Sequence, residues 1–248
     1  MSFHGLPCWY ELSTDDVEGA QVFYTAILGW DIADSGTPGM DYRVAKLGDT
    51  MVAGMMNSDS PAQPPAWVIY FAVDSADATC TAATAGGATA LVPPTDIPGT
   101  GRFAMLLDPQ GAAFGILQPL PGGQGGAFDQ SRRGTGNWHE ITTPDSAAAI
   151  EFYTRLFGWT LVRTVPLGTM DYHILGLKGV EIVGAFSMTG VPTMWKAYFG
   201  VASVNASVTA VTQAHGTVLR GPDPIPGGVF TVQITDPQGA ALALTGPG

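Results

Sequence analysis

Asn137-Trp-His-Glu-Ile-Thr-Thr-Pro-Asp-Ser-Ala-Ala-Ala-Ile-Glu-Phe-Tyr-Thr-Arg-Leu-Phe-Gly-Trp159 reads as one strand, a tight turn and one amphipathic helix. A matching stretch, Cys8-Trp-Tyr-Glu-Leu-Ser-Thr-Asp-Asp-Val-Glu-Gly-Ala-Gln-Val-Phe-Tyr-Thr-Ala-Ile-Leu-Gly-Trp30, stands 129 positions earlier (137 − 8) with no gap. Further pairs keep nearly that offset: Met40-Asp41-Tyr42 with Met170-Asp171-Tyr172, Trp67 with Trp195, Tyr70-Phe71 with Tyr198-Phe199, and Asp108-Pro-Gln-Gly111 with Asp236-Pro-Gln-Gly239. The chain is a tandem duplication, so whatever one half folds into the other repeats.

Trp9, Glu11 and Ser13 alternate with Tyr10, Leu12 and Thr14, the period-2 pattern of a strand with two different faces. Thr14 or Asp15 is expected to cap the following helix, with Glu18 reaching back. Ala20, Phe23, Tyr24, Ile27 and Leu28 form one apolar stripe, and Gly29 stops the helix. Two short strands are expected from Met40 to Leu47 and Met51 to Met56, then a Pro-rich connection from Ser58 to Pro65. A second unit has a strand from Trp67 to Val73, an Ala-rich helix capped by Asp74-Ser75 and a stop near Gly86-Gly87. Strands from Thr89 to Val92 and Arg102 to Leu107, a turn at Asp108 to Gly111 and a strand from Ala112 to Gln118 complete it.

Each half thus holds two βαβββ-like modules. Pro119 to Gly126 has too little side chain to pack and is expected to be a flexible linker. The expected organisation is a first repeat over 1–118, a Gly/Pro-rich linker over 119–133 and a second repeat over 134–248. The second repeat follows the same order: strand Trp138 to Thr142, helix Asp145 to Phe157, strands around Tyr172 and Ile182, strand Trp195 to Val201, a helix capped by Ser203 and strands ending at Leu244.

The chain's 248 residues, 46% hydrophobic and 12% charged, are enough for two cores of roughly 120 residues. A formal charge of −11 with ten Lys and Arg opposes phosphate backbones and anionic membranes, so no nucleic-acid or membrane partner is expected. No apolar run reaches the ~18 residues of a membrane helix, and the opening Met1-Ser-Phe-His-Gly-Leu-Pro7 lacks the basic and apolar regions of a signal peptide. A cytoplasmic protein is the expectation. Cys8 and Cys80 match no metal or redox spacing and read as reduced, core-filling thiols. Oligomeric state stays open, with a homodimer among the options.

These motifs resemble the vicinal oxygen chelate superfamily, which includes glyoxalase I, extradiol dioxygenases and bleomycin-binding resistance proteins. The resemblance rests on the strand, the Asp-initiated helix with Phe-Tyr in its middle and Leu-Gly-Trp or Phe-Gly-Trp at its end, and Asp-Pro-Gln-Gly before the last strand. It implies an α+β fold of four βαβββ modules in two tandem repeats, paired into curved sheets enclosing cavities. It also implies where metal-dependent members place ligands: Trp9 and Trp138 on the first strands, Val68 and Lys196 on the strands opening each second module, and Gly115 and Ala243 on the last strands. None of the six offers a suitable lone pair at neutral pH, so no metal and no other cofactor is expected.

Trp9 with Glu11, and Trp138 with Glu140, share the strand face that in the resemblance looks into the cavity. A carboxylate in an apolar cup can act as a general base. The plainer reading is that each Glu accepts hydrogen bonds from neighbouring groups and pins the wall. His139 faces the helices as a satisfied core histidine, whereas His173, where the first repeat has Arg43, reads as a solvated strand histidine within reach of a ligand. His4 and His215 are assigned nothing. No Ser, Cys or Thr sits in a nucleophile elbow, and Gly122 to Gly126 lacks the context of a phosphate loop.

Six Trp, seven Tyr, eleven Phe and nine Met remain. Most must be core, but some should line the cups, where flat rings and adaptable thioethers suit a flat apolar guest. The expected ligand-binding set is Trp9, Glu11, Tyr42, Trp67, Tyr70, Trp138, Glu140, Tyr172, His173, Trp195 and Tyr198, with no catalytic and no metal residue. The expected function is metal-independent sequestration of an aromatic small molecule, such as a polyketide-type antibiotic, conferring self-resistance. The rival is a lyase, isomerase or hydroxylase using Glu11 or Glu140 as base. A secreted, partner-binding antigen is a third reading that the missing export segment opposes.

Overall fold

A computed structural model describes residues 3–37, 39–58, 63–122 and 125–248. The first repeat runs β1 (Pro7–Thr14), α1 (Val17–Leu28), β2 (Asp31–Asp34), β3 (Tyr42–Leu47), β4 (Thr50–Asn57), β5 (Ala66–Ala72), α2 (Ala76–Ala85), β6 (Thr89–Ile97), β7 (Gly101–Leu107) and β8 (Ala113–Pro119). The second runs β9 (Gly136–Thr143), α3 (Ser146–Phe157), β10 (Thr160–Leu167), β11 (Met170–Leu177), β12 (Val180–Ser187), β13 (Met194–Gly200), α4 (Val204–Gln213), β14 (Thr217–Ile225), β15 (Val229–Thr235) and β16 (Ala241–Gly246). These are four βαβββ modules in an α+β fold. Each repeat forms one eight-stranded sheet, ordered β2-β3-β4-β1-β5-β8-β7-β6 and β10-β11-β12-β9-β13-β16-β15-β14. Within each module the first strand pairs parallel with the last, for example Glu11 beside Gly54 and Tyr70 beside Gly115.

The helix signals hold, with one shift. Asp16, not Thr14 or Asp15, caps α1: its side chain accepts from the backbone N–H of Gly19 at 2.9 Å. β1 ends at Thr14 as expected, pairing it with Asn57, and the cap falls one residue beyond Asp15. Asp145 does the same for α3, accepting from Ala148. Ser75 and Ser203 cap α2 and α4. Gly29 and Gly158 end α1 and α3 in the left-handed region at φ 69° and 70°, which glycine adopts without steric cost.

Two strand expectations are corrected. β2 escaped notice because it is four residues long and buries only Ile32. β6 continues through Pro93-Pro94 to Ile97 because it lies at the sheet edge, where a missing N–H breaks no ladder, and its register shifts at the prolines. The expected linker is also corrected in part. Residues 126–137 pack: Trp30 Nε1 donates to the Gly134 carbonyl, and the Arg132 guanidinium donates to Thr50 Oγ1 and the Leu47 carbonyl at 2.8 Å each. Gly123 and Gln124, within the expected linker, lie outside the described residues, as do residues 59–62 of the Pro-rich connection.

The compact units do not follow the repeats. One comprises Met1–Cys8, Val68–Gly125 and Trp138–Lys196; the other Trp9–Trp67, Gly126–Asn137 and Ala197–Gly248. Each unit therefore takes modules from both repeats.

In the second of these units, Tyr10, Tyr24, Trp30, Trp67 and Phe199 form an aromatic cluster, with Phe199 5.0 to 5.5 Å from Tyr10, Trp30 and Trp67. Trp67 Nε1 donates to Tyr24 Oη at 2.9 Å, and Tyr24 donates to Asp236 Oδ2 at 2.8 Å. Asp236 Oδ1 accepts the backbone N–H groups of Gln238, Gly239 and Ala240. The other unit repeats this design: Phe71 packs on Phe157, Trp159 and Trp195, Trp195 donates to Tyr153, and Tyr153 donates to Asp108 at 2.9 Å. The Asp-Pro-Gln-Gly motif is thus a turn and also the anchor for a helix tyrosine of the opposite repeat.

His139, fully buried on β9, hydrogen-bonds the Ile182 carbonyl through Nδ1 at 3.0 Å. Burial pushes its imidazole down from 6.5 to about 4. Below pH 6.5 the unfolded chain takes up a proton that the folded chain refuses, so stability is full above that pH and falls until the folded histidine titrates near pH 4. Each pH unit of that window is worth about 1.4 kcal/mol, so the loss is on the order of 3 kcal/mol. Urea unfolding at successive pH values should show this decline for the wild type and a flatter one for His139→Gln; parallel declines would place the acid sensitivity elsewhere.

Candidate functional site

Strand alternation leaves Trp9, Glu11 and Ser13 half-buried on the β1 face opposite the helices, while Tyr10, Leu12 and Thr14 are buried. On that face Trp9 Nε1 donates to Tyr42 Oη at 3.1 Å, and Tyr42 donates to Glu11 Oε2 at 3.0 Å. In the second repeat Trp138 Nε1 donates to Tyr172 Oη at 2.8 Å, and Tyr172 donates to Glu140 Oε1 at 2.7 Å. Burial first, and then the adjacent carboxylate, raise both phenols well above their ordinary value, so each tyrosine keeps its proton.

How the tyrosine arrives explains two glycines. Tyr42 lies on β3 and must cross β4 to reach β1; Tyr172 lies on β11 and must cross β12 to reach β9. The crossing points are Gly54 and Gly184, where an added Cβ would collide with the tyrosine hydroxyl. A glycine inside a strand commonly marks such a close approach of another group. Gly184→Ala should therefore expel Tyr172, breaking the second relay and costing about 1–3 kcal/mol as overpacking. Thermal unfolding together with the fluorescence of Trp138 checks this, and an unchanged melting temperature and spectrum would contradict the seating.

Of the expected residues, the structure brings together Trp9, Glu11 and Tyr42, and separately Trp138, Glu140 and Tyr172. Trp67 and Trp195 are corrected. On β5, Trp67 alternates with Val68 and Tyr70, so it lies on the helix-facing side, where it is buried against Tyr24; Trp195 is likewise buried against Tyr153. Neither has surface to offer a ligand, and Tyr70 and Tyr198, also expected in the set, are no less buried. Tyr70 lies on the side away from the helices, its ring covering Gly115 with Phe103 6.4 Å away, and Tyr198 sits beside Ala243. His173 is opposite in alternation to Tyr172 and pairs with Thr164 Oγ1 at 3.0 Å at an exposed position, away from the relay. A groove of about 460 Å³ along α1, lined by Glu18, Gln21, Val22, Thr25, Ala26 and Arg43, contains none of the expected residues.

Sequence reasoning missed the seats Gly54 and Gly184 and the anchors Asp108 and Asp236. For the glycines a signal existed, since Gly54 and Gly184 recur at the offset of Tyr42 and Tyr172. Both cysteines are free, and burial pushes the Cys8 thiol up, which fits the inert role expected of it.

The donor chemistry does not fit a metal. Indole, aliphatic and ammonium groups stand at the resemblance-implied positions Trp9, Trp138, Val68 and Lys196, and Gly115 and Ala243 bring no donor. Among the described residues no three or more His, Cys, Asp or Glu side chains gather where they could hold an ion. No helix is long and apolar enough to cross a membrane, among the same residues.

Comparison with known proteins follows the repeats. A family model described as the Glyoxalase/Bleomycin resistance protein/Dioxygenase superfamily matches residues 8–116 and 136–244. The chain is 34% identical over 251 residues to CFP32, a candidate glyoxylase of Mycobacterium tuberculosis, covering 98% of this chain and 95% of that protein. It is 28% identical over 264 residues to the anthracycline biosynthesis protein DnrV of Streptomyces peucetius, covering 97% and 92%. In fold it is similar to the Mn(II)-bound glyoxalase of Novosphingobium aromaticivorans, with a TM-score of 0.71, 17% identity and coverage of 99% and 83%.

Proposed function

This chain belongs to the glyoxalase/bleomycin resistance protein/dioxygenase superfamily, and on that premise we propose that it binds and sequesters a flat, hydrophobic aromatic small molecule without a metal. The class in view is a polyketide-type antibiotic, held in the cytoplasm so that its host is protected. The observation that carries this reading is the Trp–Tyr–Glu relay, built twice, each time from a tryptophan, Trp9 or Trp138, at the first-strand ligand position that the resemblance implies. An indole wall gives a stacking surface worth on the order of 1 kcal/mol beyond area burial, and the carboxylate beside it gives one oriented polar contact. The similarity to a protein named for anthracycline biosynthesis supports an aromatic ligand.

The second reading is an enzyme with Glu11 or Glu140 as general base, and the similarity to a candidate glyoxylase favours it. Against it stands the tyrosine hydroxyl, which already donates to one oxygen of each carboxylate and so competes with a substrate proton for it.

Native mass spectrometry against a panel of flat aromatic antibiotics tests the binding reading: a retained, intact guest supports it, and a panel with no retained guest counts against it. With a guest in hand, Trp138→Ala should weaken binding at the second repeat by about 1–3 kcal/mol. Equal affinity would make Trp138 a packing residue.

A further inference from the structure

We infer that the two relays are unequal: a neutral, flat aromatic guest fills the relay of Trp138 first, and the relay of Trp9 takes it only at a concentration at least ~10-fold higher. This rests on the binding reading above and adds which site the guest takes and which residues decide it. Each relay lies in its own compact unit, Trp138 with residues 68–125 and 138–196, Trp9 with residues 9–67 and 197–248. Next to the Trp138 relay, Tyr172 pairs across β11 and β12 with Phe186, their ring centroids 6.0 Å apart and their planes 26° from parallel. Phe186 alternates with the seat Gly184 on the same strand face, so an indole, a phenol and a phenyl ring share one half-buried surface. Next to the Trp9 relay the same register sets Met56 beside Tyr42, on the face of the seat Gly54. The relay is repeated, but the ring beside it is not.

The strands that each unit takes from the opposite repeat widen the difference. In the unit of Trp138, Ala104 and Leu106 of β7 are fully buried on the helix side, which leaves Phe103 and Met105 half-buried on the face away from the helices. In the unit of Trp9, Val232 and Ile234 of β15 are buried in the same way, and the half-buried pair is Thr231 and Gln233. Phe103 and Thr231 stand equally far before the Asp-Pro-Gln-Gly turn (108 − 103 and 236 − 231), so they are true counterparts. A phenyl ring and a thioether offer a flat guest apolar area and a polarisable partner. A hydroxyl and an amide offer little of either, and covering them strips water from polar atoms. One aromatic contact is worth about tenfold in affinity at its upper end, so Phe186, Phe103 and Met105 against Met56, Thr231 and Gln233 separate the sites by at least that factor. Glu140 and Lys196 bring one formal charge of each sign to the unit of Trp138, and a neutral guest keeps both out of the comparison.

Acridone, a neutral and fluorescent three-ring probe, titrated into the intact protein at neutral pH should show one tight site per chain, with any second site at least ~10-fold weaker. Phe103→Thr with Phe186→Met gives the unit of Trp138 the residues of its counterpart and should weaken the tight site at least ~10-fold, leaving two similar sites. Met56→Phe with Thr231→Phe makes the reverse exchange and should bring the weak site to within about threefold of the tight one. If circular dichroism shows that a double variant does not fold, Phe186→Met alone should weaken the tight site by about threefold and leave the weak one unmoved. Two sites of equal affinity in the wild type, or a tight site that the changes at Phe103 and Phe186 leave in place, would overturn the inference and leave the binding reading standing. If acridone does not bind, both fail.

Discussion

Asp236→Ala is expected to lower the free energy of unfolding by on the order of 4 kcal/mol, enough to leave little soluble protein. The carboxylate is buried and accepts from the Tyr24 hydroxyl and three backbone N–H groups, so its removal leaves four donors without their partner. Each buried unsatisfied donor costs about 1–3 kcal/mol, and domains have only about 5–15 kcal/mol in all. Asp108→Ala should do the same in the other unit, where Tyr153 and the N–H groups of Gln110 and Ala112 depend on it. Urea denaturation against Asp15→Ala, an exposed control, gives the measure. A loss below about 1 kcal/mol would show that water or a neighbour replaces the carboxylate.

A larger effect is expected from separating the repeats. Tyr24 of the first repeat finds Asp236 in the second, Trp30 finds the Gly134 carbonyl, Tyr153 finds Asp108, and Trp159 Nε1 donates to the Gly5 carbonyl. Fragments covering 1–122 and 125–248 therefore each hold half of two units and complete neither. Each alone should lack a cooperative thermal transition, and an equimolar mixture should regain near-ultraviolet dichroism from the rebuilt tryptophan clusters. A fragment that melts cooperatively by itself would contradict the interleaved description.

The sequence carried the fold wherever the determinants are local. The period-2 pattern of Trp9 to Thr14, the apolar stripe of α1 and the glycine stops all express contacts within a few residues, and the 129-residue repeat doubled the signal. Comparing the repeats would also have moved the cap to Asp16, since Pro144-Asp145 aligns with Asp15-Asp16. Determinants two strands away were less legible. Nothing near Tyr42 says that its ring crosses β4, and only the strand glycine Gly54 hints at it. β6 continues past two prolines because of its place at the edge, which is a tertiary fact. The misplacement of Trp67 was avoidable, because alternation with Val68 and Tyr70 assigns it to the helix side. Which modules share a unit was not legible at all, since either pairing buries the same apolar faces.

The central claim, that each relay holds its guest without transforming it, is tested most directly by incubating the protein with a severalfold excess of an aromatic molecule that native mass spectrometry has shown to bind. The mixture is followed over time by chromatography with mass detection, with and without added divalent metal. The account predicts saturation at no more than one guest per repeat, a guest of unchanged mass throughout, and no effect of metal. Consumption of guest beyond one equivalent per repeat, or binding that requires a stoichiometric metal ion, would contradict it.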